Sequence, residues 1–488
     1  METTVQQKLA AKLQLSANTS SGEIMRLYKL QQQNKQNVKN TSAKERKRKL
    51  NALKKVIFEK REAIQQALYN DFRKAPAETD LTEIYPLVSE IRHAAVRVEE
   101  WMRPTKVETP LSFFGTSSKV VYEPKGCTLI ISPWNYPFQL CLIPLVSAVA
   151  AGNCAILKPS EYTPHTAAII RQILKEVFAE NEIAVVEGDY TVSEELLRLK
   201  FDHIFFTGSP AVGKVVMKAA AEHLASVTLE LGGKSPVIVD ETANMKASAK
   251  RITWGKLLNN GQTCIAPDYL FVHESKYNEL LDELKKSVAL GYGKTEEEIK
   301  QSPDYCRIIN SRHHARVKKL VQDAVEKGAN VALGGKMDDS ENYISPTILT
   351  DVPQDAEVLH EEIFGPVLPV MKYRNIQEPL DYINSKEKPL ALYVFSKSQK
   401  NIDTVLNNTS AGGTCVNETL LHNAQPNLPF GGVNNSGIGN CHGLYGFKAF
   451  SHERAVLKQH MPKGSMENMY PPYKGFVLKM IDFTLKYF

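Results

Sequence analysis

The sequence predicts an α/β protein with two successive parallel sheets, each wound on both faces by helices. Two observations carry this. Between Cys127 and Phe206, short apolar runs alternate with amphipathic segments of helix length, the pattern of right-handed βαβ crossovers. After Gly233 the alternation starts again with "SPVIVD" and continues to about Cys415. The size agrees: 488 residues, 43% of them hydrophobic, suffice for two or three domains with their own cores.

The elements follow in order. The opening "METTVQQKLAAKLQLSANTSSGE" has no long apolar centre and no small-residue cleavage site, so it reads as a loosely attached start and not a secretory signal. Ser42 to Phe72 reads as one long amphipathic helix, with Leu50, Leu53, Ile57, Ile64 and Leu68 at helical spacing. Its basic run "KERKRK" is expected to be a solvated face. Thr128–Ile131 reads as a buried strand, and Phe138–Ala151 as a buried helix closed by Gly152-Asn153. "CAILKPS" is a strand. Helix 164–178, strand 183–187, helix 193–199 and strand 203–206 complete the first unit. The second opens with "SPVIVD", a helix through Trp254 and the strand "YLFVHE". Sheets of this kind bind ligands at the C-terminal ends of their strands.

Composition excludes several classes. Sixty basic and 54 acidic residues leave a net charge of +6, too little to suggest nucleic acid. Seven cysteines stand far apart, with no Cys-x-x-Cys. That argues against a disulfide framework and for a reducing, cytoplasmic setting. The twelve histidines show no metal-ligand spacing, so no metal is expected. No stretch approaches the roughly 18 apolar residues of a membrane-spanning helix.

Several short stretches carry polar chemistry. "FFTGSPAVGK" follows a strand and opens a helix, where Gly208, Ser209 and Gly213 could let backbone amides approach a pyrophosphate. "LKPSEYTP" sets Lys158 and Glu161 past a strand end, as ribose ligands or as a surface ion pair. "TLELGGKSP" ends a strand on Glu230, as a helix cap or as a base whose pKa burial has raised. "SPWNYPF" offers the amide of Asn135 to an oxyanion. "HEEIFGPVLPV" offers a glutamate for a ribose and Phe364 for a flat ring. "LLNNGQTCIAPDYL" holds Cys264, which alone reads more readily as a small buried hydrophobe.

Their joint order decides. "SPWNYP", "LKPSE", "FTGSPAVGK", "TLELGGKSP", "NNGQTCIAPDY", "EEIFGPVLP" and "LPFGGVNNSGIG" resemble, in sequence order, the aldehyde dehydrogenase superfamily from about Ser42 to Arg454. "GQTCIAPDY" and "KPLALYVFS" resemble its class-3 branch, which includes fatty-aldehyde enzymes. The resemblance implies a cysteine thiohemiacetal, then a thioester hydrolysed to an acid, with NAD or NADP as oxidant. Cys264 then matches the nucleophile, Glu230 the general base and Asn135 the oxyanion donor beside the Cys264 backbone N–H. Lys158 and Glu161 match adenosine-ribose ligands, and Gly208, Ser209 and Gly213 the dinucleotide loop. Trp134, Leu231, Gly232, Glu362 and Phe364 match the rest of the cofactor side. Glu161 should repel a 2′-phosphate, so NAD is favoured and NADP is possible. Free cysteine, with a pKa of about 8.5, is roughly 3% thiolate at pH 7. Lowering it to about 7, through helix dipoles and the cationic nicotinamide, would make about half of it thiolate.

The resemblance also implies three parts: a cofactor domain (1–108 and 126–230), a catalytic domain (231–415) and a small β arm (109–125 and 416–454) that pairs subunits as a homodimer. Residues 455–488 form a tail. In "YKGFVLKMIDFTLKYF", Lys479, Asp482 and Lys486 share one helical face opposite Val477, Met480, Ile481, Leu485 and Phe488. Three readings stay open: a peripheral membrane anchor, a lid over the substrate funnel or partner subunit, or docking on the protein's own surface. Against the acid-forming dehydrogenase stand a coenzyme A-acylating relative, disfavoured by Glu230, and a non-catalytic scaffold, disfavoured by intact Cys264, Glu230 and Asn135. The aldehyde is expected to be a medium- to long-chain aliphatic or an aromatic one.

Overall fold

The computed structural model describes residues 18–464 and 467–487. The loose start expected at the N-terminus falls on residues 1–17, and Phe488 of the tail face is also outside the described residues. Among those described, one sheet has six strands in the order Gly437–Ile438, Ser226–Glu230, His203–Thr207, Cys127–Ile131, Cys154–Lys158 and Ile183–Val185. Its neighbours run parallel except at Gly437–Ile438. A second sheet has seven strands in the order Asn330–Leu333, Thr347–Thr350, Val367–Tyr373, Tyr269–His273, Pro236–Val239, Ala391–Phe395 and Gly413–Val416. It too is parallel apart from its antiparallel edge strand Asn330–Leu333. The alternation read from the sequence therefore becomes two parallel sheets.

Burial explains the apolar runs. Every residue of Cys127–Ile131 and of Cys154–Lys158 is buried, as expected for strands covered on both faces. The helix Gln139–Ala151 is buried along nearly all its length, and Pro144 is tolerated inside it. It ends at Gly152, which takes a left-handed conformation.

The long helix expected from Ser42 to Phe72 is two helices, Ala43–Glu59 and Arg61–Phe72, broken at Lys60. The basic run is not wholly solvated either. Arg46 is buried and donates to the Ala150 carbonyl at 2.9 Å and the Lys39 carbonyl at 3.0 Å. It thereby satisfies carbonyls at the ends of two helices, which would otherwise lack partners.

The β arm also differs from expectation. It joins Thr105–Val107, Thr116–Pro124 and Ser451–Gln459 in one antiparallel sheet. Residues 417–450 return instead to the six-stranded sheet. Gly437 pairs with Glu230, and the Leu231 N–H donates to the Ser436 carbonyl at 3.1 Å. That return closes a sheet edge that would otherwise be open beside Glu230.

The two large sheets meet at the turn before Cys264. The helix Met245–Leu257 runs into Asn259, Asn260 and Gly261, with φ of 53°, 56° and 72°. Asparagine and glycine are the residues that tolerate this left-handed region. From the first unit, the Glu78 carboxylate accepts the Asn259 N–H at 2.8 Å, the Asn135 carbonyl accepts from Asn259 Nδ2 at 2.7 Å, and the Tyr136 hydroxyl meets Thr263 Oγ1 at 2.7 Å. From the second, the Cys306 carbonyl accepts from Asn260 Nδ2 at 2.7 Å, and Gln262 Oε1 accepts the Ile309 N–H at 3.0 Å. Behind this turn lies a fully buried ion pair, Lys74–Glu83, at 2.8 Å.

A Cβ on Gly261 would collide with the Gly365 carbonyl oxygen and approach the Lys256 carbonyl oxygen at 3.0 Å. Gly261→Ala is therefore expected to destabilise the fold by about 1–3 kcal/mol or more. Thermal melting by circular dichroism checks this.

Candidate active site

At the C-terminal end of Ser226–Glu230, a cavity of about 570 Å³ opens between the two sheets. Asn135, Glu230 and Cys264 line it. So do Trp134, Gly208, Ser209, Leu231, Gly232, Glu362 and Phe364. Lys158, Glu161 and Gly213 do not line it. Lys158 is buried and pairs with the exposed Glu161 at 2.7 Å. Gly213 packs within its helix against Leu231, whose Cδ2 would stand 2.7 Å from an added Cβ.

Glu230 terminates its strand 5% exposed, and neither carboxylate oxygen has a hydrogen-bond partner among the described residues. Burial pushes its pKa up to about 8, an effect the neighbouring Cys441 thiol only partly opposes. A carboxyl in this state can exchange a proton near neutral pH.

Cys264 is partly exposed, unlike the other six cysteines, which are all buried. Its thiol is not depressed toward 7. Burial raises it to about 12, with the charges of Glu362 and Glu230 adding to the rise. The backbone amides of Cys264 and Ile265 favour the thiolate but do not outweigh that burial. The expectation of a lowered pKa rested on helix dipoles and the cationic nicotinamide; in the protein alone, burial and the two carboxylates that the fold brings alongside raise it.

Asn135 is 3% exposed. Its Nδ2 donates one hydrogen to the Gln262 carbonyl at 3.0 Å. A side-chain amide has two such hydrogens, so the second remains for the cavity.

The opposite wall is a loop around Glu362 and Phe364. Glu362 Oε1 is buried without a hydrogen-bond partner among the described residues, and burial lifts this carboxyl to about 8. A Cβ on Gly232 would meet the Glu362 carboxylate, so any other residue here would push that carboxylate aside. Phe364 has φ of 48° and meets the Trp134 ring edge-on at 5.3 Å. Trp134 also stacks obliquely on His313 at 4.6 Å. Ser209 caps the helix Pro210–Glu222, its Oγ accepting the Val212 N–H at 3.4 Å.

Three residues given no role from the sequence hold that wall. Lys234 pairs with Asp268 and donates to the carbonyls of Val358 at 2.9 Å and Glu361 at 2.8 Å. Asp268 accepts the Ile363 N–H at 2.9 Å. Arg316 donates to the carbonyls of Glu362 at 3.0 Å and Ile363 at 2.6 Å. Asp268 was visible inside "NNGQTCIAPDY" as the one charge of that run, and Lys234 inside "TLELGGKSP" as the one charge besides Glu230. Arg316 lies in a polar helix and had no such signal.

Residues 6–456 match the aldehyde dehydrogenase family. The 4,4'-diaponeurosporen-aldehyde dehydrogenase of Staphylococcus aureus is 46% identical over 430 residues, 88% of this chain and 92% of that protein. Aldehyde dehydrogenase family 3 member A2 of Mus musculus is 43% identical over 428 residues, covering 88% of this chain and 87% of its own length. The solved substrate-bound structure of Staphylococcus aureus AldH superposes with a TM-score of 0.90 at 43% identity, over 95% of this chain and 99% of that one. The chain belongs to the aldehyde dehydrogenase family and is an enzyme that oxidises aldehydes with a nicotinamide dinucleotide.

Proposed function

We propose that Cys264, Glu230 and Asn135 together convert the aldehyde to a carboxylic acid. The observation that carries this reading is their shared cavity, in which a buried, unpartnered carboxyl and a spare amide N–H accompany the most accessible cysteine. Cys264 Sγ, its proton passing to the Glu230 carboxylate, adds to the carbonyl carbon, and Glu230 returns that proton to solvent before deacylation. The oxygen that becomes anionic is met by Asn135 Nδ2 and the Cys264 backbone N–H, and losing one such donor typically costs about 3–4 kcal/mol. The dinucleotide, when bound, accepts the hydride. Glu230 then takes a proton from the water that cleaves the thioester. A base positioned for water favours hydrolysis over transfer to coenzyme A.

The dinucleotide fits the opposite wall. Glu362 has a buried oxygen without a partner, suited to a ribose hydroxyl, and Gly232 leaves no side chain in the way. Phe364 and Trp134 supply ring surface, and Leu231 adds apolar lining. Gly208 and Ser209 open a helix toward the phosphates, with Gly213 allowing that helix to pack closely. Lys158 and Glu161, just beyond, would take the adenosine ribose. Glu161 makes NAD the favoured cofactor over NADP.

The aldehyde is read as approaching from the other face of the catalytic turn. A groove of about 700 Å³ lies there, lined by Glu78, Trp254 and Leu258. The six-stranded sheet is then the cofactor domain and the seven-stranded sheet the catalytic one. The exposed edge strand Ser451–Gln459 of the small sheet would pair subunits in a homodimer. The tail helix Phe476–Tyr487 has no buried residue, and Thr484 meets only the nearby Met469 and its own helix. That exposure supports a peripheral membrane contact over docking on the protein's own surface. Among the described residues no helix is long and apolar enough to cross a membrane.

Three outcomes test these readings. Cys264→Ser should abolish dehydrogenase turnover, read as absorbance at 340 nm. Because only the ionised carboxylate is a base, turnover should rise with pH through about 8, where Glu230 titrates. Glu230→Gln should remove that limb, leaving a burst of reduced cofactor followed by slow steady state; retention of the limb would remove Glu230 from the role. Deleting residues 473–488 should abolish flotation with anionic liposomes if the tail meets a membrane.

A further inference from the structure

Asn135 stands outside helix and strand, in the loop between Cys127–Ile131 and Gln139–Ala151. Pro133 and Pro137 flank it and bring no N–H to the loop. The Asn135 carbonyl accepts from Asn259 Nδ2 at 2.7 Å, and no other donor reaches that oxygen among the described residues. The same Asn259 nitrogen gives its second hydrogen to the Gln262 carbonyl at 3.1 Å. That carbonyl is also the acceptor of Asn135 Nδ2, at 3.0 Å. The three residues thus close a ring in which both hydrogens of Asn259 Nδ2 are used.

All three residues are buried. Asn259 turns its nitrogen toward two carbonyls and leaves Oδ1 buried without a hydrogen-bond partner among the described residues. Such an oxygen is a cost to folding. Glycine would take the same left-handed backbone, φ 53°, without that cost. The stability of the turn alone therefore does not account for an amide here. Gln262 is fixed by its own side chain. Its Nε2 donates to the carbonyls of Asn259 at 3.0 Å and Arg307 at 3.1 Å, and its Oε1 accepts the Ile309 N–H at 3.0 Å. What depends on the Asn259 amide is Asn135.

We propose that Asn259 is the positioning residue of the oxyanion site: its amide ties the main chain of Asn135 to the acceptor that orients the Asn135 side chain, and so aims the second Nδ2 hydrogen into the cavity. The proposal rests on the reading of Asn135 as the oxyanion donor. Asn259 is not among the residues lining the cavity, so it acts through Asn135. A donor stabilises an oxyanion only when held on the place the charge will take. Without the Asn259 amide, the Asn135 side chain keeps one bond to Gln262, and its main chain is free to turn about it. The charge develops in the transition state and not in the bound aldehyde, so the loss falls on kcat and not on KM. The thiol has separate supports on either side. Thr263 Oγ1 meets the Tyr136 hydroxyl at 2.7 Å, and the Ile265 carbonyl accepts the Tyr393 hydroxyl at 2.5 Å.

The test is a double-variant cycle with hexanal and NAD. Asn259→Gly keeps the left-handed turn and removes the amide. It should lower kcat and kcat/KM together by about 10- to 100-fold, with KM within about twofold. Asn135→Ala should lower kcat by about 100-fold or more. The Asn135→Ala/Asn259→Gly double variant should stay within about threefold of Asn135→Ala, where independent losses would multiply. Alkylation of Cys264 by iodoacetamide should stay within about twofold of the unmodified rate in Asn259→Gly. Asn259→Asp also tolerates the turn and can donate at most one hydrogen. It should lose kcat in the same way, and it carries the test if the glycine variant does not fold. Retained kcat, a multiplicative loss in the double variant, or alkylation that falls with kcat overturns the proposal, the last by assigning Asn259 to the thiol. Asn135 separates the two levels. If Asn135→Ala loses kcat while the Asn259 variants keep it, only the positioning role is wrong. If Asn135→Ala keeps kcat, the oxyanion reading beneath the proposal has failed with it.

Discussion

The cost of placing charge inside one enclosed cavity organises this protein. Glu230 and Cys264 reach that cavity from different sheets, and Glu362 closes it from a third element. Each would be ionised more easily in water. Burial holds Glu230 and Glu362 near 8, and burial together with those two carboxylates holds the thiol near 12. The remaining features answer that cost. Backbone amides and Asn135 Nδ2 offer donors to developing negative charge, and any positive charge brought into the cavity would shift all three groups toward their ionised forms.

Such a site works only if its members are held still, and the turn before Cys264 supplies that. It is bonded to both large units at once, through Glu78, Asn135 and Tyr136 on one side and Cys306 and Ile309 on the other. The Lys74–Glu83 pair stands directly behind it, with the second Glu83 oxygen accepting the Gln139 N–H at 3.0 Å. Breaking such a buried pair typically costs about 3–5 kcal/mol. The opposite wall is held in the same manner by Lys234, Asp268 and Arg316. Stability and catalytic geometry thus depend on the same bonds, since the turn that joins the sheets also aims the thiol.

Much of this was legible in the chain. Strands covered on both faces are apolar nearly throughout, so Cys127–Ile131 and Cys154–Lys158, polar only at Thr128 and Lys158, announced a parallel sheet. Cys264, Glu230 and Asn135 stood in short motifs whose order carried the assignment. What was hidden depends on distant partners. Arg46 looked like one more charge in a basic run, because its partners, the carbonyls of Ala150 and Lys39, end other helices. The break at Lys60 leaves no proline or glycine to mark it. The return of Ser436–Ile438 to Glu230 joins segments about two hundred residues apart and could not be read locally. The thiol's raised pKa was missed for the same reason: two of its causes, Glu230 and Glu362, are distant in sequence.

The groove and the tail extend the account outward from the cavity, but both depend on the electrostatic state at its centre. That state is most directly measured by the pH dependence of Cys264 alkylation by iodoacetamide in the cofactor-free protein, with Cys264→Ser as the blank. The account predicts a rate that keeps rising with alkalinity, toward a thiol near 12. A rate already at its plateau by about pH 7–8, the behaviour of a preformed thiolate, would contradict it.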